Sequence, residues 1–119
     1  MITNFDGFTD ELNEEEKKLI PILVQGFKNH SKQNPIKASE IITAINSKAD
    51  IFRLKNKFSE PRLRKICNHI RTNGLLPLIA TSVGYYVSYD KEEIANQIKS
   101  LLERANSIKN SANGLKKFI

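Results

Sequence analysis

Two hydrophobic patterns of different period follow each other in residues 59–89. Four apolar residues recur at the spacing of one helical face: Leu63, Ile66, Cys67 and Ile70. Asn73-Gly74 then supplies a left-handed stop for this helix. Residues 75–81 and 85–89 are rich in aliphatic and aromatic side chains, and Gly84 between them suits a tight turn. The pattern therefore predicts a helix followed directly by a two-stranded hairpin.

The opposite face of the predicted helix is polar and basic. Its centre holds Pro61, Lys65, Asn68 and Thr72, with Arg64 and Arg71 along one side and Arg62 and His69 along the other. Ser59 is the expected N-cap, because its hydroxyl can accept from the first turn, and Glu60 is the one acid beside this face. Arg and Lys suit phosphates, whereas Asn, His and Thr suit base edges, so the mixture predicts contact with nucleic acid. The alternative is a charged face that is only solvated.

Two further helices are predicted upstream. Asn13 and Glu16 form a capping box, and the helix that they open should run to about His30. A very short strand at Ile36 should precede a second helix over residues 38–46. Apolar residues mark the inner faces of the two helices, namely Leu19, Ile20, Leu23, Val24 and Phe27 in the first and Ile41, Ile42 and Ile45 in the second.

Residues 47–58 fit two interpretations. They are expected to form either a helical turn packed on the core through Ile51, Phe52, Leu54 and Phe58, or a basic loop near a ligand. This link is longer than the few residues that join the helices of a compact helix-turn-helix.

The C-terminal residues carry a heptad repeat. Asp90 and Glu93 form a second capping box, and apolar residues then alternate at intervals of four and three: Ile94, Ile98, Leu101, Ala105, Ile108, Ala112, Leu115 and Ile119. We interpret residues 90–119 as a dimerisation helix and favour self-association over a helix that folds back on its own domain. Asn113-Gly114 could end the helix early.

Charge is distributed unevenly along the chain. The net charge is +6 over 119 residues, but residues 1–16 hold six acids and no Lys or Arg. The remaining residues hold 19 basic and seven acidic side chains, which favours a polyanionic partner. Cys67 is the single cysteine, and on an apolar face it is expected to be buried. No long apolar run or signal peptide is present, so we expect a cytoplasmic or nucleoid-associated protein.

The order of the predicted elements resembles the winged helix-turn-helix superfamily, and in particular the N-terminal DNA-binding domains of biotin-operon repressors. In those domains a recognition helix ends in a glycine and is followed by a wing strand and a Gly-Tyr-x-aliphatic element. The corresponding residues here are Ser59, Arg62, Lys65, His69 and Ile70, then Gly74, then Leu78 and Ile79, then Gly84-Tyr85-Tyr86-Val87. Small winged-helix proteins of phages and mobile elements are also similar. The resemblance implies a fold that is mainly α with a small β-hairpin (α+β), and a winged helix-turn-helix over residues 13–89 after an acidic leader, 1–12.

Candidate chemistry for an enzyme is sparse. His30, His69 and Cys67 lack the spacing of metal ligands, and no phosphate-binding loop or nucleophile elbow is present. Glu14, Glu15 and Glu16 are consecutive, so we expect them to point in different directions and not to share a site. We therefore expect no catalytic site, no metal, no cofactor and no small-molecule ligand.

We predict sequence-specific binding to double-stranded DNA, by a transcriptional regulator or a phage or mobile-element accessory protein. The helix 59–73 would enter the major groove, with Asn68 reading adenine and Arg62 or Arg64 reading guanine. Lys37, Ser39, Lys55 and Lys57 would hold phosphates. The full predicted DNA-binding set is Lys37, Ser39, Ser59, Arg62, Arg64, Lys65, Asn68, His69, Arg71, Thr72 and Ser82. As a homodimer the chain would read a near-palindrome.

Two other functions compete with this one. A winged helix can serve as a protein-interaction and assembly module without binding DNA, which the long 47–58 link favours. Binding to single-stranded DNA or RNA would use Tyr85, Tyr86 and Tyr89 for stacking, but alternation places Tyr85 and Tyr89 together on the core side of the strand.

Overall fold

A computed structural model describes residues 12–119, and the predicted leader lies outside them apart from Leu12. The elements in chain order are α1 (Glu14–Phe27), α2 (Ala38–Ser47), α3 (Ala49–Phe52), α4 (Glu60–Thr72), β1 (Leu78–Thr81), β2 (Gly84–Val87) and α5 (Lys91–Leu115), with a 3-10 turn at Lys116–Phe118. The predicted α+β class is confirmed: the chain is mainly helical, with a small antiparallel hairpin and a long C-terminal helix. The chain divides into two compact units, one ending at Ser88 and the other formed by Tyr89–Ile119.

Helix α1 begins at the predicted capping box. The Glu16 N–H donates to Asn13 Oδ1 at 2.8 Å, and the Asn13 N–H donates to Glu16 Oε1 at 3.0 Å. The helix ends at Phe27 rather than near His30. The N–H of His30 donates to the Phe27 carbonyl, and the His30 carbonyl accepts from Val87 in the hairpin. The last predicted turn is therefore replaced by a tight turn that leads the chain toward β2.

Helix α4 forms the middle of the core. All four residues of its predicted apolar face are buried, with Leu63, Ile66 and Ile70 at 0% exposure and Cys67 at 2%. They pack with Leu19 and the other apolar residues of α1, and with Ile41 and Ile45 of α2. The prediction that the Ser59 hydroxyl caps α4 is wrong, since the side chain of Ser59 makes no capping hydrogen bond. Its backbone carbonyl accepts from Leu63 instead, and Pro61 in the first turn removes one N–H that would need a cap.

Two glycines shape the path from α4 into the hairpin. Gly74 has φ +63° and ends α4 as predicted, and the N–H of Leu75 reaches back to the Ile70 carbonyl. Gly84 has φ +138°, and a Cβ at this position would lie 2.6 Å from the Ile36 carbonyl oxygen. Any side chain there would separate β2 from Ile36. Ile36 forms an isolated β-bridge with Tyr85, as the predicted short strand requires.

The hairpin is shorter than predicted. Strand β1 begins at Leu78 rather than at Leu75, because the Leu78 N–H is used in a bond to the Leu76 carbonyl. The register pairs Leu78 with Val87 and Thr81 with Gly84.

Residues 47–58 contain a helical turn, as the first of the two interpretations expects. The single turn α3 is followed by an irregular segment, and Phe58 at its end is fully buried. The Asn46 side chain holds this end in place, donating to the Phe58 carbonyl at 3.0 Å and accepting from the Phe58 N–H at 2.9 Å. Ile51 does not join the core and is 74% exposed.

Helix α5 begins as predicted, with the Asp90 carboxylate accepting from the Glu93 N–H at 3.2 Å. The helix continues through Asn113-Gly114 to Leu115, so these residues do not end it. None of its residues is buried, and among its heptad positions Ile98, Ile108 and Leu115 are 52%, 69% and 67% exposed.

Candidate nucleic-acid interface

The outward face of α4 presents a line of polar side chains. Pro61, Arg64, Asn68 and Thr72 are all exposed, and they recur every three or four residues along the helix. A guanidinium, an amide and a hydroxyl thus lie in one row about three turns long. These are the groups that hydrogen-bond to base edges and to phosphate oxygens.

Arg62 does not belong to this row, and the prediction that it reads guanine is revised. Its side chain is only 13% exposed, and its Nη2 lies 2.8 Å from Glu15 Oε1 while its Nε lies 2.9 Å from Glu16 Oε2. Its Nη1 donates to the carbonyls of Asn56 and Lys57 at 3.1 and 3.2 Å. All three guanidinium nitrogens are therefore bonded within the fold, and four of the five N–H groups already have acceptors there.

The same contacts correct the expectation that Glu15 and Glu16 cannot share a site. Successive helical residues do point in different directions, but the fork of one guanidinium is wide enough to meet both carboxylates. Burial lowers the pKa of Arg62, but its bonds to Glu15 and Glu16 outweigh this, so that the pKa lies above the usual value.

Lys65 is also bonded within the fold. Its Nζ lies 2.9 Å from Glu16 Oε1, and its side chain is 27% exposed. Glu16 itself is 1% exposed and is the one buried charged residue of the described chain. Burial raises the pKa of Glu16, but the Asn13 N–H and the two cations outweigh it and hold the pKa below the usual value. The buried carboxylate is therefore ionised at neutral pH, and two cations that the sequence assigns to DNA neutralise it.

The other flank of α4 is tied to the hairpin. Arg71 donates from Nε to the Leu78 carbonyl at 3.1 Å and is partly buried. His69, which the sequence predicts to contact DNA, is half-buried. Its Nδ1 lies 3.3 Å from the Asn73 side-chain nitrogen. Arg62 and Arg71 thus anchor the two sides of the exposed row, one to the segment before α4 and one to β1.

A shallow cleft brings together three predicted residues that are distant in sequence. Lys37 and Ser39, at the start of α2, line it with Ser82 of the hairpin turn. Glu60 lines the same cleft, so its charge is mixed. The cleft places these residues beside the first turn of α4. Ser59, also predicted to bind DNA, is half-buried.

Three cations lie close together just before α4, in residues 53–57. We call this stretch, Arg53-Leu54-Lys55-Asn56-Lys57, the cationic segment. Arg53, Lys55 and Lys57 are all exposed, and the Lys55 N–H donates to Glu15 Oε2 at 2.6 Å. The sequence pointed to Lys55 and Lys57 but not to Arg53. Arg53 has φ +55°, a conformation that no local pattern of residue types indicated.

The tyrosines of the hairpin do not form a stacking platform. Tyr85 packs its ring on Phe27 with centroids 5.7 Å apart, and Tyr86 is 6% exposed. The expectation that Tyr89 lies on the core side is wrong, because it falls beyond β2 and is 75% exposed.

Cys67 is buried as predicted, and burial raises the pKa of its thiol to about 11, so it is neutral at physiological pH.

Within residues 12–119, no three His, Cys, Asp or Glu side chains are grouped as metal ligands would be. No helix in that part of the chain is long and apolar enough to cross a membrane.

The comparisons with known proteins give no relative. No family model matches the chain, and neither a curated protein nor a solved structure is significantly similar to it.

Proposed function

We propose that this chain binds double-stranded DNA by placing the exposed row of α4 in the major groove. The observation that carries the proposal is the arrangement of this row between the hairpin on one side and the cationic segment on the other. Arg64, Asn68 and Thr72 would meet the bases, and Arg53, Lys55, Lys57 and Lys37 would meet phosphates. The proposed fold is a winged helix-turn-helix in which Arg62 and Lys65 serve the fold instead of the ligand.

A salt-dependent titration tests this proposal. Labelled 20-base-pair duplexes of random sequence would be titrated with the full chain at two salt concentrations, followed by fluorescence anisotropy. We expect binding that weakens steeply with salt, because Lys and Arg displace counterions from the phosphates.

A matched pair of variants locates the contact. Arg64→Gln should weaken binding to the duplex, and Lys99→Gln, which removes an exposed charge from α5, should change it much less. Binding that is undetectable at low salt, or equal losses from the two variants, would contradict the proposal.

We also propose that two chains associate through α5. The exposed heptad residues Ile98, Ile108 and Leu115 form a seam that a second copy with the same spacing would cover. Light scattering should give twice the chain mass. Ile108→Asp should give the monomer mass, whereas Lys99→Asp, outside the seam, should not. A monomeric wild-type chain at micromolar concentration would exclude the dimer.

Binding to a protein partner is the second candidate function, and a different surface favours it. An apolar hollow of about 170 Å³ opens between α1, α2 and α3, over the side chains of Leu23, Phe27 and Ile45. The exposed Ile22 lines this hollow together with Lys48. A neighbouring cleft shares Ile22 with it and is also lined by the exposed Ile51 and by two cations, Lys18 and Arg53. A partner with an acidic, amphipathic segment would fit this surface. Capture of one stoichiometric protein that DNA does not displace, and that Ile51→Asp abolishes, would favour this function over the first.

A further inference from the structure

The backbone of the cationic segment is held by the acids of α1 and by Arg62. Three consecutive residues each take one bond: the Lys55 N–H donates to Glu15, and the carbonyls of Asn56 and Lys57 accept from Arg62. Glu15 also binds Arg62 directly at 2.8 Å. Glu15 is therefore bonded both to the segment and to the arginine that holds the segment.

The side chains of this segment behave differently from its backbone. Arg53, Lys55 and Lys57 remain exposed, while the main chain of residues 55–57 is bonded to Glu15 of α1 and to Arg62 of α4. A flexible cationic loop loses conformational freedom when it contacts phosphate, and that loss weakens binding. A segment that is already fixed in the free protein avoids most of this loss of conformational entropy on binding.

We propose that Glu15 is a positioning residue for DNA binding: with Arg62, it fixes the cationic segment so that its side chains meet the phosphates beside the groove that α4 enters. The inference rests on the proposed function and deepens it. Its consequence is that an acidic residue strengthens binding to a polyanion.

Charge alone gives the opposite expectation, which makes the inference testable. Removing any carboxylate makes the chain more positive and should tighten its binding to DNA. Glu14 supplies the matched control, because it precedes Glu15 in the same turn, its side chain is 85% exposed, and within residues 12–119 its carboxylate pairs with the exposed Lys17 at 3.5 Å. Glu14→Gln and Glu15→Gln change the net charge equally, but only the second puts an amide NH2, which cannot accept, in place of a carboxylate oxygen that accepts from Lys55 or Arg62.

The experiment compares duplex binding by the full-length wild type, Glu14→Gln and Glu15→Gln at two salt concentrations. We expect Glu14→Gln to bind as tightly as the wild type or slightly more tightly. Glu15→Gln should bind about three- to ten-fold more weakly, the cost of ordering one or two side chains on binding. The dependence on salt should also become shallower, because fewer phosphate contacts are made. Loss of stability alone would not change that dependence.

Two further variants separate positioning from charge and from misfolding. Glu15→Asp keeps the charge but shortens the side chain, and it should bind more weakly than the wild type. Lys57→Gln should cost less affinity in the Glu15→Gln background than in the wild type, since the segment is already displaced there. Unfolding midpoints would confirm that each variant is folded under the conditions of the titration.

The outcomes separate the inference from the function on which it rests. If the wild type binds duplex but Glu15→Gln binds as tightly as Glu14→Gln, the inference is overturned and the proposed function stands. Strictly additive losses from Lys57→Gln and Glu15→Gln would overturn it as well. If the wild type binds no duplex at low salt, the proposed function fails and the inference fails with it.

Discussion

Helix α4 and the cationic segment before it carry similar numbers of positive charges and use them differently. Of the four Lys and Arg residues in α4, Arg62 and Lys65 form ion pairs with Glu16, and Arg71 donates to a backbone carbonyl of β1. Arg64 is the exposed cation of α4. All three cations of the cationic segment are exposed, although the sequence pattern there is much less regular. A charge counted in a sequence is available to a ligand only where the fold does not already use it.

The strongest test of this contrast is the stability cost of removing one arginine from each group. Arg62→Met leaves Glu16 buried with one cation in place of two and frees the carbonyls of Asn56 and Lys57. We expect the free energy of unfolding to fall by about 3 kcal/mol. Arg64→Met should change it by less than about 0.5 kcal/mol, because that side chain is exposed. Urea denaturation measures both, and equal losses would remove the distinction between the two arginines.

The irregular segment depends on a second fixed point, at Asn46. Asn46→Ala leaves both the N–H and the carbonyl of the buried Phe58 without partners, so we expect a loss of about 2 kcal/mol in unfolding free energy. Asn56→Ala is the matched control, because that exposed side chain takes no part in holding the segment. If Asn46→Ala were as stable as Asn56→Ala, the segment would not be held through Phe58.

The exposed row of α4 should determine sequence preference, whereas the cationic segment should not. Asn68→Ala should lose about 1–3 kcal/mol of discrimination at one base position while its affinity for random duplex changes little. Lys57→Gln should weaken binding to all sequences alike. Selection from a randomised duplex library, performed with each variant, reads out the preference. An unchanged preference with Asn68→Ala would remove that residue from base reading.

The smallest expected effect concerns pH. Bonds to the Lys55 N–H and to Arg62 lower the pKa of Glu15, and its neighbour Glu16 is shifted in the same direction. A carboxylate with a lowered pKa in the folded chain stabilises it above the unfolded pKa, near 4.5, and this contribution disappears as the pH falls through the folded value. Unfolding free energy should therefore decrease from pH 5 to pH 3, less steeply in Glu15→Gln than in Glu14→Gln. Equal slopes in the two variants would show that Glu15 has no such role.

Periodicity predicted most of the fold, because burial of an apolar face is a local property of the sequence. The inner faces of α1, α2 and α4, the Asn13 capping box, the Gly74 stop and the hairpin turn at Gly84 were all readable in this way. The ends of the two strands could not be predicted in this way. The Leu78 N–H bonds to the Leu76 carbonyl and the Val87 N–H bonds to the His30 carbonyl, and β-propensity gives no information about such bonds.

The candidate site was less predictable, because its decisive contacts with α1 join residues that lie 40 or more positions apart. Arg62 lies 46 and 47 residues from Glu16 and Glu15, and no local pattern shows that these groups meet. One signal was present: residues 1–16 hold six of the 13 acids and no Lys or Arg, whereas the predicted helix 59–73 holds four Lys and Arg residues and one acid. The lesson is to look for the neutralising partner of a basic face before assigning that face to DNA.

Chemical-shift mapping during titration with duplex shows directly which surface of the chain contacts DNA. Amide and side-chain resonances of the 119-residue chain would be followed as an unlabelled duplex is added. We expect the largest changes at Arg64, Asn68 and Thr72 and at Lys55 and Lys57 of the cationic segment, with little change at Ile22 of the apolar hollow and at Ile51 beside it. Changes confined to Ile22, Ile51 and the hollow, or no changes at saturating duplex, would contradict DNA binding through α4.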